Sequence, residues 1–89
     1  MKAALEILRI PTAPRHEECV AEFVRGWLNS LAIPFREDRH GNILAELRQH
    51  GARDAIALNV HMDHPGFEVT KVSGKQVECF FLGGVPQSY

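Results

Sequence analysis

The sequence predicts an α/β fold, and three patterns indicate it. Over residues 16–31, apolar side chains recur at three- and four-residue spacing, which is typical of one face of a helix. After Pro34, short apolar runs alternate with turn residues, as in strands and hairpins. In the run at residues 55–60, both the odd- and the even-numbered positions are apolar apart from Asn59, as in a strand that is covered on both faces.

Two helices are predicted at the start of the chain. Residues 1–9 have helical composition and precede the connector Pro11-Thr12-Ala13-Pro14, because proline disfavours helical geometry in the residue before it. In the helix at 16–31, Glu17 and Glu18 suit the positive end of the helix dipole, so we assign them no catalytic role. The apolar face of this helix, which we expect in the core, consists of Val20, Phe23, Val24, Trp27, Leu28 and Leu31.

Two hairpins are predicted after the helices. In the first, residues 35–38 and 43–47 flank a turn in which Gly41 and Asn42 can adopt positive φ at low cost. The remaining predicted elements, in chain order, are a turn at 51–54, the buried strand at 55–60, and a second hairpin of 67–72 and 76–82 around Ser73-Gly74-Lys75.

Composition limits the possible function classes. A chain of 89 residues, 45% of them hydrophobic, makes one small domain or part of a larger one. Ten Lys plus Arg against eleven Asp plus Glu give a net charge of −1 with no basic stripe, so we expect no nucleic-acid partner. The sequence has neither the ~18–20 apolar residues of a membrane span nor a secretion signal, so we expect no membrane partner and a cytoplasmic location.

The two cysteines, Cys19 and Cys79, lie far apart and form no CxxC pair. This spacing argues against a zinc knuckle or a redox motif. We therefore expect both thiols to be reduced and to pack as small hydrophobic side chains.

The motif that indicates chemistry is His61-Met62-Asp63, directly after the predicted buried strand. In an extended segment, His61 and Asp63 project to the same side because they are two residues apart. A histidine that binds a metal commonly donates its other ring N–H to a carboxylate, and ligand sites in open α/β sheets gather beyond the carboxyl ends of strands. We therefore interpret His61 as a metal ligand and Asp63 as the carboxylate that orients it. The alternative is a structural histidine at a strand end.

The other histidines carry weaker indications. His64 would point to the opposite face if the strand continued, but Pro65 leaves its geometry open. We interpret His64 as a substrate-pocket or surface residue, with a ligand role as the alternative. His16, His40 and His50 lie at a helix start, a turn and a loop, where we expect them to be solvated.

A set of sequence elements resembles a known family. It comprises the connector Pro11-Thr12-Ala13-Pro14 before an amphipathic helix, Gly41-Asn42-Ile43-Leu44-Ala45, the strand end His61-Met62-Asp63, and Gly66-Phe67. Together they resemble the amino-terminal part of the dinuclear metal-dependent aminopeptidases of the glutamyl aminopeptidase / tetrahedral TET peptidase family. Residues 74–85, with a strand leading into Gly83-Gly84-Val85, look like the entry into the small β-barrel domain that this family inserts into its catalytic domain.

The resemblance implies a fold and two site residues. The fold would be the N-terminal part of a zinc-exopeptidase-like mixed sheet with flanking helices, with residues 1–65 in the catalytic domain and 66–89 as the incomplete start of the barrel. His61 matches the first metal ligand, and Asp63 matches the catalytic-site carboxylate that orients it. His64-Pro65 departs from the acidic or small residue followed by an aliphatic residue that is common there, so no substrate preference is implied.

The resemblance also implies a mechanism for a full-length parent protein. Two divalent ions, zinc or cobalt, would lower the pKa of a bridging water, which would attack the first carbonyl of a peptide substrate. The family's bridging aspartate, glutamate pair, further acid and second histidine come later in the chain and have no counterpart here. We therefore expect these 89 residues alone to be metal-free and inactive, and the full-length protein to be a homo-oligomer.

Two alternative functions stay open. Related zinc-dependent deacylases and dipeptidases share the His-x-Asp motif, whereas Gly66-Phe67 shortly after it favours the aminopeptidase. The chain could also be a non-enzymatic structural or interaction module, in which self-association would cover exposed strand edges and apolar surface.

Overall fold

The computed structural model describes residues 2–47, 54 and 56–85. These residues form two helices and two antiparallel sheets of two strands each, which confirms a small mixed α/β fold. No closed barrel is present within these ranges. The elements are α1 Lys2–Ile7, α2 Glu18–Ser30, β1 Phe35–Glu37, β2 Ile43–Ala45, β3 Gly66–Ser73 and β4 Gln76–Leu82.

The chain divides into two compact units. The terminal unit consists of Met1–Val20 and Met62–Tyr89, and the central unit is Ala21–His61. The β3–β4 hairpin therefore belongs to the terminal unit and the β1–β2 hairpin to the central unit. The buried apolar residues among those described are Ala13, Val20, Ala21, Leu28 and Leu82.

Helix α2 confirms the predicted amphipathic helix and ends in a local motif that the sequence did not indicate. Ala32 has a positive φ of 53°, and the Ile33 amide donates to the Leu28 carbonyl at 3.0 Å. This is the Schellman arrangement, which satisfies a carbonyl at the helix end. It commonly uses glycine at the left-handed position, so an alanine there carries no sequence signal.

Part of the predicted apolar face of α2 is not in the core. Val20 and Leu28 are buried, but Trp27 is 44% exposed and Leu31 is 52% exposed. The prediction that Trp27 is a core residue is therefore wrong. The spacing of apolar residues defines the face correctly, but burial requires a neighbouring element over its whole length.

The β1–β2 hairpin forms where it was predicted, with shorter strands. Phe35 pairs with Ala45 and Glu37 pairs with Ile43. Gly41 has the expected positive φ of 83°, whereas Asn42 does not adopt one.

The β3–β4 hairpin also confirms its prediction. Gly66 pairs with Leu82 at the open end, and Ser73 pairs with Gln76 next to the turn, where Gly74 has a φ of 59°. The pairing is irregular between Val69 and Lys71, which leaves one extra residue on β3.

The predicted buried strand at 55–60 is wrong for residues 56–60, and position 55 lies outside the described residues. No strand is assigned there, and Ile56, Leu58 and Val60 are 90%, 92% and 85% exposed. A strand that is buried on both faces needs paired neighbours and covering layers, and the described part of the central unit supplies neither. Of the predicted turn at 51–54, only Asp54 is described.

The cysteines are free, as expected, but the expectation that they pack in apolar surroundings is wrong. Both Cys19 and Cys79 are exposed. Cys19 lies near the start of α2, outside the apolar face of that helix, and Cys79 lies in the middle of β4.

Candidate metal centre

The segment after His61 is held in place by the proline-rich connector. The Thr12 hydroxyl Oγ1 donates to the Met62 carbonyl at 3.5 Å, the long limit for a hydrogen bond. Gly66 lies so close to the connector that a Cβ at this position would come within 3.1 Å of the Ala13 Cβ. The connector therefore contacts both ends of the stretch 62–66, which contains Asp63 and His64.

A second close approach fixes the same stretch from the β4 side of the open end of the hairpin. Gly83 has a φ of 103°, and a Cβ on it would lie 3.0 Å from the Pro65 Cα. Both the positive φ and the short distance require glycine at this position. Sequence reasoning used Gly66 and Gly83 only as parts of the family resemblance and missed the packing role of both glycines.

His61 and Asp63 lie on either side of the boundary between the two units. His61 is the last residue of the central unit and is exposed. Asp63 and His64 belong to the terminal unit and are half-buried. His61 and Asp63 each have an interaction partner.

The described residues do not contain a complete set of metal ligands. Across residues 2–47, 54 and 56–85, no group of three or more His, Cys, Asp or Glu side chains is arranged to hold a metal ion. A catalytic zinc site needs about three protein ligands. Among the described residues, His61 therefore has no complete ligand set around it.

His16 has a partner that sequence reasoning missed. Its Nε2 lies 2.6 Å from Oε2 of Glu68 in β3, and both side chains are about half exposed. The pair joins the segment before α2 to the hairpin within the terminal unit. Because 52 residues separate the two positions, no local pattern could predict the contact.

The other residues considered in the sequence have local structural roles. Glu17 accepts a hydrogen bond from the backbone N–H of Arg15, a residue with a positive φ of 73°. His40 is exposed, and its ring Nε2 accepts from the Arg39 Nε at 3.0 Å. His50 lies outside the described residues.

Asp38 accepts several hydrogen bonds in the central unit. Its Oδ2 accepts from the Asn42 side-chain amide at 2.8 Å, and its Oδ1 accepts from the backbone N–H groups of Asn42 and His40. The side-chain bond from Asn42, followed by these backbone bonds, lowers the pKa of Asp38 below its usual value. This network forms the β1–β2 turn. It is far in sequence from the predicted site residues His61 and Asp63.

An open, mainly apolar cleft of about 530 Å³ lies in the central unit. Residues 32–36, Leu44, Glu46 and Leu47 line it, and His61 does not. Arg36 and Glu46 are its charged lining residues, and neither was singled out in the sequence.

Within the part of the chain that the structure describes, neither helix has the length and apolar character needed to cross a bilayer. No family model, curated protein or solved structure matches this sequence.

Proposed function

We propose that this chain is the N-terminal portion of a metal-dependent aminopeptidase that hydrolyses N-terminal peptide bonds with a metal-activated water. The main supporting observation is that three sequence elements of the resemblance contact one another in the terminal unit. They are the connector, the segment containing Met62, and Gly66-Phe67. The connector contacts Met62 and Gly66, and Gly83 contacts Pro65. Elements that are distant in sequence thus converge on the stretch that follows His61.

This convergence supports the proposal because the segment that carries metal ligands must be held in a fixed position. A carboxylate that orients a histidine ligand must be held in position by its own surroundings. The half-buried Asp63 lies between two anchored positions, Met62 and Pro65-Gly66. His61, just before this stretch, is an exposed residue.

The proposal assigns one role to each residue. His61 supplies one nitrogen ligand, and Asp63 accepts a hydrogen bond from the other ring nitrogen and so fixes the ring orientation. A bound divalent metal ion, zinc or cobalt, would make a water nucleophilic at neutral pH. The remaining ligands and the general base come from further polypeptide of the parent protein.

The exposed apolar run supports a larger sheet in that parent protein. Ile56, Leu58 and Val60 are each at least 85% exposed, and leaving three large apolar side chains in water costs stability. In the proposed zinc-exopeptidase fold, neighbouring strands and helices would cover this run. The catalytic domain would then include residues 1–65, and the inserted barrel would begin at 66.

The test uses the full-length gene product with zinc or cobalt. We expect it to release amino acids from peptides with a free amino terminus, and His61→Ala to lower kcat/KM at least a hundredfold because a metal ligand is lost. His40→Ala is the matched control, since His40 is an exposed histidine of the β1–β2 turn, and it should keep full activity. Metal content, measured by mass spectrometry, should fall only in the His61 variant.

Two outcomes would redirect the proposal. Hydrolysis of N-acyl amino acids in preference to free peptides would assign the protein to the deacylases of the same clan. Full activity in His61→Ala, with unchanged metal content, would remove His61 from the site and overturn the proposal.

A further inference from the structure

The pairing of β3 with β4 places six apolar side chains on one side of the hairpin. In an antiparallel pair, directly opposed residues project to the same face, and positions two apart along a strand share that face. Phe67 pairs with Phe81, Val69 with Cys79, and Val72 with Val77. We call this side the apolar face of the hairpin; it consists of Phe67, Val69, Val72, Val77, Cys79 and Phe81.

An irregularity in β3 is what keeps this face continuous. Simple alternation from Phe67 and Val69 would put Lys71 on the apolar face and Val72 on the other side. Thr70 is instead the extra residue of a bulge, and its hydroxyl donates to the Glu78 carbonyl at 3.1 Å. Lys71 then pairs with Glu78, 3.6 Å between charged atoms, on the opposite face.

The opposite face is the one that packs within the terminal unit. Gly66 approaches Ala13, Glu68 binds His16, and Leu82 is 8% exposed. All three residues lie at strand positions that alternate with those of the apolar face, so they are on the opposite side of the hairpin. The hairpin therefore turns the side that carries Glu68 and Leu82 toward the connector, although Phe80 on that side is 60% exposed, and leaves its apolar side to solvent.

The apolar face is large and carries no charge. Phe67, Val69, Val72, Val77 and Phe81 are 70%, 57%, 66%, 54% and 40% exposed. The rings of Phe67 and Phe81 contact each other with centroids 5.3 Å apart, so the open end of the face is an ordered aromatic pair. Contiguous exposed patches of this kind mark interaction sites.

We propose that a second copy of this chain covers this face, so that two hairpins pack face to face as a four-stranded β-sandwich. The exposed fractions correspond to about 500 Å² of residue surface per copy and, if all of it is buried, at most about 1,000 Å² for the pair, which is the lower limit for a specific interface. A twofold pairing uses the same patch on both copies, and a face without charges opposes no like charges when it meets itself. Sheets pack in this way about 10 Å apart.

The test is sedimentation equilibrium of the 89-residue chain under reducing conditions, from about 5 to about 500 µM. We expect reversible assembly to twice the 10.0 kDa of one chain, with a dissociation constant of about 1–100 µM, as suits a small interface. Val77→Lys should weaken the association at least tenfold, because it places two like charges in the interface. Gln76→Lys is the matched control. It adds the same charge at the neighbouring position of β4, on the opposite face, and should leave the dissociation constant unchanged.

A second variant separates loss of assembly from loss of folding. Val77→Thr keeps the branched shape and strand preference of valine but removes apolar area, so it should weaken the dimer less than Val77→Lys while retaining the far-UV circular dichroism spectrum. A wild-type chain that stays monomeric throughout the concentration range overturns the proposal, and binding of that monomer to phosphatidylcholine vesicles would assign the face to a lipid surface. Open-ended assembly, or equal behaviour of Val77→Lys and Gln76→Lys, also overturns it. None of these outcomes depends on His61, so failure of the dimer and failure of the proposed peptidase function are distinguishable.

Discussion

The β1–β2 and β3–β4 hairpins both have antiparallel pairing and a turn glycine with positive φ, but they differ in what their side chains contact. The short hairpin has strands of three residues and is fixed by polar groups. Asp38 accepts three hydrogen bonds in its turn, and the Arg25 Nη1 donates to both carboxylate oxygens of Glu37 at 3.1 Å. The long hairpin has strands of eight and seven residues and a continuous apolar face.

This difference indicates which hairpin we expect to pack against another surface. Hydrogen bonds around Asp38 are satisfied within a few residues, so the short hairpin does not depend on a partner for its turn. A two-stranded sheet is marginal in water by itself, and its apolar residues stabilise it only when they are buried. The long hairpin obtains this burial on one face, at Leu82, and exposes the other face.

The largest expected effect is that of Leu82→Ala in the long hairpin. Leu82 is 8% exposed, so truncation should lower the free energy of unfolding by about 2–3 kcal/mol through lost burial and a cavity. The same change in the short hairpin, Leu44→Ala, should cost less than about 1 kcal/mol because Leu44 is 46% exposed. Urea unfolding followed by circular dichroism measures both, and equal effects would contradict the asymmetry between the hairpins.

A smaller effect is expected from replacing the glycine at the end of β4. Gly83→Ala should lower the free energy of unfolding by about 2 kcal/mol, because the residue has a φ of 103° and the added Cβ would meet Pro65 at 3.0 Å. Gly41→Ala in the short hairpin has a similar φ of 83° but nothing within 4 Å of the added Cβ, so it reports the cost of φ alone, about 1 kcal/mol. A Gly83 variant no less stable than the Gly41 variant would show that the contact with Pro65 does not constrain the segment.

The smallest effect is expected at Asp38 and depends on pH. Its pKa is lowered in the folded state, chiefly by the side-chain amide of Asn42, so the ionised carboxylate stabilises the fold above the unfolded-state pKa of about 3.9. That contribution is lost as the pH falls through the lower, folded-state pKa. Asp38→Asn should therefore be less stable than wild type at pH 7, and this difference should shrink as the pH falls below about 3.9. A constant difference between the two proteins over this range would contradict the assigned hydrogen bonds.

The sequence predicted the elements better than it predicted their surroundings. Helix α2 and both hairpins follow from apolar spacing and turn glycines, which are local properties. The exposure of Trp27 and of residues 56–60 could not be predicted, because burial depends on elements that pack from elsewhere. The bulge at Thr70 also escaped prediction, since only the pairing with Glu78 and Cys79 shows that β3 holds one residue more than β4.

The candidate site divides in the same way. The sequence motif predicts His61 and Asp63 as a ligand and the carboxylate that orients it, and those roles stay predictions. The anchoring of the segment by Thr12, Ala13 and Gly83 depends on contacts between distant residues, as does the pairing of His16 with Glu68. Such contacts leave no periodic signal in one sequence. The only local hint is the glycine at position 66, because glycine permits the close approach of another segment such as the connector.

The most direct test of the central claim is a crystal structure of the full-length gene product grown with cobalt, with the metal located by anomalous scattering. We expect a ring nitrogen of His61 about 2.0–2.1 Å from the metal, and Asp63 accepting a hydrogen bond from the other ring nitrogen. A metal centre formed without His61, or Asp63 directed away from that ring into bulk solvent, would contradict that claim.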